Sequence, residues 1–220
     1  ALQRAVAELI EAFAKPDGYL RLVVTRGSGA LGLDPRRCDN PNVFIIASAL
    51  QLIDPEKRCA GAKVIIGATR RLRCDGLDAR IKSLNYLNHI MARMEANSAG
   101  ADETVLLNDA GRVAEGSADN IFIVKRGVLM TPPLCEGALD GVTRRVVLEL
   151  ARTSGLDARE TPLAPYDLYT ADECFLTGTG AELIPVREID GRSVGDCPGP
   201  VFSRIESAFQ ALVEYESRAG

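Results

Sequence analysis

The sequence predicts a mixed α/β (α+β) enzyme core built as two domains. Three observations carry that expectation. Segments with helical spacing alternate along the chain with β-branched segments of strand character. Several strand signals meet at short turns of hairpin type. Residues 69–80 (Thr-Arg-Arg-Leu-Arg-Cys-Asp-Gly-Leu-Asp-Ala-Arg) lose all periodicity and are rich in charge, as an interdomain linker would be. Residues 1–68 then form a small N-terminal domain and residues 81–220 a larger C-terminal one.

Leu2, Val6, Leu9, Ile10 and Phe13 recur at helical spacing, and Pro16-Asp17-Gly18 ends that helix. Tyr19 to Arg26 alternates well enough to be a strand, followed by loop through Gly27–Gly32 and the Asp-Pro-Arg-Arg stretch. Asn42 to Leu50 and Ala62 to Ala68 give a second and a third strand. Beyond the linker, Leu84, Leu87, Met91 and Met94 mark a helix starting near Ser83 and running to about Ala96. Glu103 to Leu107 is a strand, and Asn108-Asp-Ala-Gly111 a turn. Asn120 to Met130 reads as a hairpin around Lys125-Arg126-Gly127. Val146, Leu150 and Ser154 line a helix capped by Gly155. Glu173 to Thr177 is a strand entering a glycine turn, and Val201, Ile205, Phe209 and Leu212 mark a final amphipathic helix.

Composition narrows the function classes. Of 220 residues, 46% are hydrophobic and 25% charged, enough apolar surface to offset chain entropy, so disorder is excluded. The formal charge of −4 comes without any basic block, which speaks against nucleic acid as a partner. No run of eighteen apolar residues suggests a membrane span, and no export signal opens the chain at Ala1. Cys38, Cys59, Cys74, Cys135, Cys174 and Cys197 are scattered singly, which reads as reduced thiols in a cytoplasmic protein. Zinc is disfavoured, because no C-x-x-C pair exists and His89 is the only histidine. His89 lies within a helical pattern and reads as a structural or solvated helix residue.

Four local features stand apart from plain scaffold. Lys82 sits where a loop is expected to pass into a helix, beside apolar Ile81 and Leu84. Such a setting lowers an amine's pKa and suits Schiff-base chemistry, although a surface lysine with its stem over the core is the plainer reading. Val113 to Asn120 is an acidic, small-residue turn in which Glu115 either points inward toward a cationic ligand or is an ordinary loop carboxylate. Leu139-Asp-Gly-Val-Thr143 leads into a helix whose amides and Thr143 hydroxyl can hold a phosphate; Thr143 can equally be a simple cap. Thr177-Gly-Thr-Gly180 lets the main chain approach a ligand or merely turns. Neither glycine segment matches a nucleotide fingerprint. Together, an amine, an inward carboxylate and two phosphate cradles are what a pyridoxal phosphate site requires.

The segments Ile81-Lys-Ser-Leu-Asn-Tyr-Leu87, Glu115-Gly-Ser-Ala-Asp-Asn-Ile-Phe122, Leu139-Asp-Gly-Val-Thr-Arg144 and Gly178-Thr-Gly-Ala-Glu-Leu-Ile-Pro-Val186 resemble class IV aminotransferases in type and order. These are the fold-type IV pyridoxal phosphate enzymes, which include branched-chain and D-amino-acid aminotransferases and aminodeoxychorismate lyase. Tyr19-Leu-Arg-Leu-Val-Val-Thr-Arg-Gly27 extends the resemblance into the first domain. The resemblance implies that Lys82 forms the internal aldimine with pyridoxal 5'-phosphate and then shuttles the α-proton. It implies that Glu115 pairs with the pyridine nitrogen, that Val142, Thr143 and Thr179 hold the phosphate, and that Leu139 packs on the ring. Tyr86 is expected near the phenolate oxygen. Gly180 and Ala181 offer amides to the substrate carboxylate, with Tyr19 and Arg21 reaching in from the small domain.

The family's chain also begins with a strand-rich segment whose Arg binds the phosphate. The resemblance therefore implies a D-amino-acid-aminotransferase-like, two-domain fold with the start of the small domain missing before Ala1. Within the family, the Tyr19-x-Arg21 and Val24-Thr-Arg-Gly27 pattern is most similar to branched-chain aminotransferases. That implies amino transfer between Leu, Ile or Val and 2-oxoglutarate in a homodimer or larger assembly. A D-amino-acid aminotransferase, the lyase, or an inactive cofactor-binding homologue are the alternatives.

Overall fold

A computed structural model describes residues 1–15, 17–49, 60–73 and 75–219. It divides into two compact units, Ala1–Leu52 and Ile53–Gly220. Pro16, Leu50, Cys59 and Cys74, each part of an expectation above, lie outside the described residues.

In the first unit, helix α1 (Leu2–Phe13) ends at Ala14, whose left-handed backbone lets its N–H bond back to the Ile10 carbonyl. Strand β1 (Tyr19–Val24) pairs antiparallel with β2 (Val43–Ser48), Tyr19 opposite Ser48 and Val24 opposite Val43. The connecting loop holds a single helical turn, Pro35–Arg37, capped by the Asp34 carboxylate.

The second unit is built on a nine-stranded sheet. Its strands are β3 (Ala62–Arg70), β4 (Glu103–Leu107), β5 (Val113–Gly116), β6 (Asn120–Lys125), β7 (Val128–Thr131), β8 (Ala158–Glu160), β9 (Glu173–Gly178), β10 (Glu182–Ile189) and β11 (Arg192–Ser193). Their order is β5-β4-β3-β10-β9-β6-β7-β8, with β11 paired to β10. The third strand therefore stands in the large unit, not in the small domain where the sequence reading put it. β3 runs parallel to both β4 and β10. A strand flanked by parallel neighbours is covered on both faces, which is why Val64-Ile65-Ile66 reads as one apolar run. The loss of periodicity at 69–80 marks the exit from that strand rather than the division between units.

Helix α2 (Leu87–Ser98) packs on β3 and β4, and its Glu95 carboxylate accepts the Ala68 and Thr69 amides at 2.6 and 3.0 Å. Helices α3 (Val142–Thr153) and α5 (Pro200–Ala219) cover one side of the sheet, where Val147, Leu148, Phe202 and Ile205 meet Phe122 and Phe175. Phe122 and Phe175 stack at 5.1 Å, and Phe202 meets Phe175 edge-on. A second core of Val64, Val105, Ile121, Ile123, Leu176 and Val186 packs with Leu168 of the short helix α4 (Pro165–Tyr169).

The expected hairpin is present: Arg126 and Gly127 both adopt positive φ, 53° and 77°, as a two-residue turn requires. β10 escapes the sequence reading because Pro185 and flanking charges argue against a strand. It tolerates the proline at a β9 pairing and bulges between Val186 and Glu188 against β3. Among the described residues, no helix is long and apolar enough to cross a membrane.

Candidate active site

One pocket of the second unit is lined by five separated stretches: Arg71 at the exit of β3, the loop from Leu77 through Tyr86 with His89 beyond it, Glu115–Asn120, Leu139–Thr143, and Thr177–Thr179. The stretches are strand ends, a helix start and the loop ahead of α2, where the chain leaves regular hydrogen bonding and polar groups become available.

Lys82 lies in a loop, not at a helix start. The Ser83 hydroxyl accepts the Asn85 amide at 3.2 Å, a local bond that competes with helix, and α2 begins only at Leu87. The Lys82 ammonium donates to the Tyr86 hydroxyl at 3.2 Å. Tyr86 caps α2, and its ring stacks on His89 with centroids 4.7 Å apart.

Glu115 is likewise not a loop carboxylate. It stands on β5, where all four residues are buried, a strand too short and small-sided to show a period. Its side chain is only 6% exposed. Oε1 lies 2.9 Å from Arg71 Nε, and Oε2 accepts the Leu139 amide at 2.7 Å. His89 Nε2 stands 3.5 Å from Oε1. The same Arg71 Nε donates its N–H to the Gly137 carbonyl at 2.9 Å, which fixes the buried guanidinium beside Glu115. A buried carboxylate with this set of partners is compensated rather than merely tolerated.

Four residues on, Asp119 stands half-buried beside a second acid. Its carboxyl is pushed up to about 7, chiefly by burial and then by the Glu103 carboxylate beside it, while Arg93 opposes the shift. Glu103 accepts the Thr104 amide at 2.7 Å, the Ser117 amide at 3.1 Å and Arg93 Nη1 at 3.1 Å, which anchors the turn between β5 and β6.

The opposite end of the pocket suits an anion. Helix α3 starts after Gly141 with no side-chain cap and no acid in its first turn, so its leading amides are free for a ligand. Thr143 is buried there, and Asn120 steadies the approach by donating to the Leu139 carbonyl at 2.9 Å. The Thr177 hydroxyl lines the same pocket, buried and without a hydrogen-bond partner among the described residues. A Cβ on Gly178 would fall 2.3 Å from Asp119 Oδ1, so any other residue here would displace the Asp119 carboxylate. An amine, a compensated carboxylate and an uncapped helix start with spare hydroxyls fit a phosphorylated, nitrogen-containing aromatic ring.

Of the residues singled out from sequence, the pocket brings together Lys82, Tyr86, Glu115, Leu139, Val142, Thr143 and Thr179. Gly180 lies in the turn after β9, and Ala181 lines a neighbouring cavity with Arg93, Glu103 and Asp119. Tyr19 and Arg21 stand on β1 of the first unit, both exposed. Two neighbours of Glu115 in the pocket are missed by sequence reasoning. Arg71 hides in the charge-rich stretch read as linker, and His89 in a helix read as scaffold; no local pattern marks either one.

The amino-transferase class IV family model matches residues 1–189. A putative branched-chain-amino-acid aminotransferase of Methanocaldococcus jannaschii is 50% identical over 197 residues, covering 89% of this chain and 67% of its own length. A D-alanine aminotransferase of Bacillus licheniformis is 35% identical, covering 98% and 75%. Among solved structures, the Escherichia coli branched-chain amino acid aminotransferase superposes with a TM-score of 0.91 at 34% identity, covering 96% of this chain and 70% of that one. The Thermobaculum terrenum enzyme in its PLP-form gives 0.85 at 29% identity, covering 96% and 69%.

Proposed function

We propose, from the premise that this chain belongs to the amino-transferase class IV family, that its pocket passes an amino group between Leu, Ile or Val and 2-oxoglutarate. It is an aminotransferase of the branched-chain type, and its cofactor is pyridoxal phosphate. The observation that carries the reading is the convergence of a lysine, a compensated buried carboxylate and an uncapped helix start on one pocket.

When bound, pyridoxal phosphate supplies an electron sink for the pair released at the substrate α-carbon. The chain's own residues do the rest. Lys82 holds the cofactor through Nζ and later carries the α-proton, oriented by the Tyr86 hydroxyl 3.2 Å away. Val142 and Thr143 at the start of α3, with Thr179, hold the phosphate, and Leu139 backs the ring. Glu115 faces the pyridine nitrogen and keeps its proton in place, with Arg71 balancing the carboxylate. The amides of Gly180 and Ala181 meet the substrate carboxylate. Leu87, Ile90, Met91 and Met94 form an exposed apolar stripe on α2, which supports a homodimer; light scattering on the purified protein tests it.

Borohydride reduction of the loaded protein followed by peptide mapping tests the nucleophile. A pyridoxyl label on Lys82, absent in Lys82→Ala, is the expected result, and a label on Lys63 or Lys125 overturns the assignment. The 35% identity to a D-alanine aminotransferase over nearly the whole chain favours one second reading, activity on D-amino acids. Comparing kcat/KM for L-Leu, D-Ala and D-Glu separates the two. A preference for either D-substrate overturns the branched-chain reading.

A further inference from the structure

We infer that His89 is a positioning residue, holding the Glu115 carboxylate on one side and the Tyr86 phenol on the other. The inference rests on the reading of this pocket as the cofactor site. His89 sits in the first turn of α2, its side chain 11% exposed. Its ring lies flat against Tyr86, 24° from parallel, and Nε2 stands 3.5 Å from Glu115 Oε1. Nδ1 is buried with no hydrogen-bond partner among the described residues.

That asymmetry decides the tautomer. A proton on Nδ1 would be buried with no acceptor, whereas Nε2 has a carboxylate oxygen 3.5 Å away. The proton therefore belongs on Nε2. The charged and titratable groups facing the ring are Glu115, Arg71 across the same carboxylate, and Tyr86 with Lys82 behind it. Arg71 and the Leu139 amide hold the Glu115 carboxylate as well. His89 contacts both ends, the Tyr86 ring and the Glu115 carboxylate, and Glu95 pins its helix to the end of β3. One imidazole thus sets the distance between the carboxylate that meets the ring nitrogen and the phenol that orients the amine.

His89 is the chain's only histidine, so its imidazole gives a single pair of nitrogen-15 NMR signals. In the cofactor-free protein the signals should show the Nε2–H tautomer, and Glu115→Gln should shift the Nε2 signal. Addition of pyridoxal phosphate should shift it again. His89→Phe keeps a ring against Tyr86 and removes the proton, while His89→Gln supplies an N–H donor without the ring. His89→Phe should lower kcat for L-Leu about tenfold with KM within about twofold, and move the visible absorption band of the loaded protein. His89→Gln should recover part of the lost kcat. An Nδ1–H tautomer, or an Nε2 signal indifferent to Glu115→Gln, overturns the inference however active the enzyme is. Wild-type kcat and absorption in His89→Phe overturn it as well. If pyridoxal phosphate fails to bind while the tautomer and its Glu115 dependence are found, the cofactor reading falls and the pairing of His89 with Glu115 stands. Should His89→Phe fail to fold, the tautomer and His89→Gln decide.

Discussion

Glu115, fully buried, and Asp119, half-buried, are acids four residues apart on the two sides of one turn, and their surroundings are opposite. Glu115 meets a guanidinium and a backbone amide, with an imidazole beside it. Asp119 meets another carboxylate, and the nearest guanidinium, that of Arg93, is spent on Glu103. The first arrangement keeps a negative charge available inside the pocket. The second favours a neutral acid that bonds Glu103 and ties the turn together. Burial alone therefore says nothing about a carboxylate's role; the sign of its neighbours does.

The sharpest way to break the contrast is to remove the cation. Arg71→Met leaves Glu115 buried without its guanidinium, and should cost about 3–5 kcal/mol of stability, read from the urea midpoint at neutral pH. Glu115→Gln keeps the shape and removes the charge. Single-turnover rates with L-Leu should fall about 100-fold while cofactor affinity changes far less, because the lost interaction is strongest in the charge-separated transition state.

Asp119→Asn tests the other side. An acid whose folded pKa is raised from 3.8 to about 7 gives the native state an extra proton across that window. Its contribution is fully present below pH 3.8 and is lost as pH rises through about 7. Wild-type stability should fall across that range through this group, and Asp119→Asn should remove that part of the slope. The smallest effect is expected from Arg93→Gln. Arg93 is 46% exposed and opposes the shift on Asp119. Its loss should move the titration of Asp119 upward and change stability by less than about 1 kcal/mol. An unchanged pH profile in both variants would remove the distinction between the two acids.

Much of this was legible beforehand, and particular residues show why. The spacing of Leu2, Val6, Leu9 and Phe13 predicts α1, and Arg126-Gly127 predicts the hairpin turn, because neighbours within a few residues decide both. Lys82, Glu115, Thr143 and Thr179 were identified by their chemistry and their order, and all four line one pocket. The sequence shows β5 as a turn and gives no strand signal at β10. A four-residue strand has no measurable period, and Pro185 contradicts local strand rules while sheet pairing overrides them.

The sequence by itself determined helices α1, α2, α3 and α5 to within about a turn, the Arg126-Gly127 hairpin, the family resemblance, and the types of chemical group on hand, since all of these are written in adjacent residues. Only the tertiary structure decided that β3 belongs to the large sheet and that Glu115 is a compensated buried charge. It alone decided that Arg71 and His89 are pocket residues. Arg71 stands 2.9 Å from Glu115, and the Leu139 amide bonds the other carboxylate oxygen at 2.7 Å. Those partners come from opposite sides of Glu115 in the chain. A contact made only when distant strands pair leaves no local pattern, because its energy depends on burial and orientation that no short window of sequence contains.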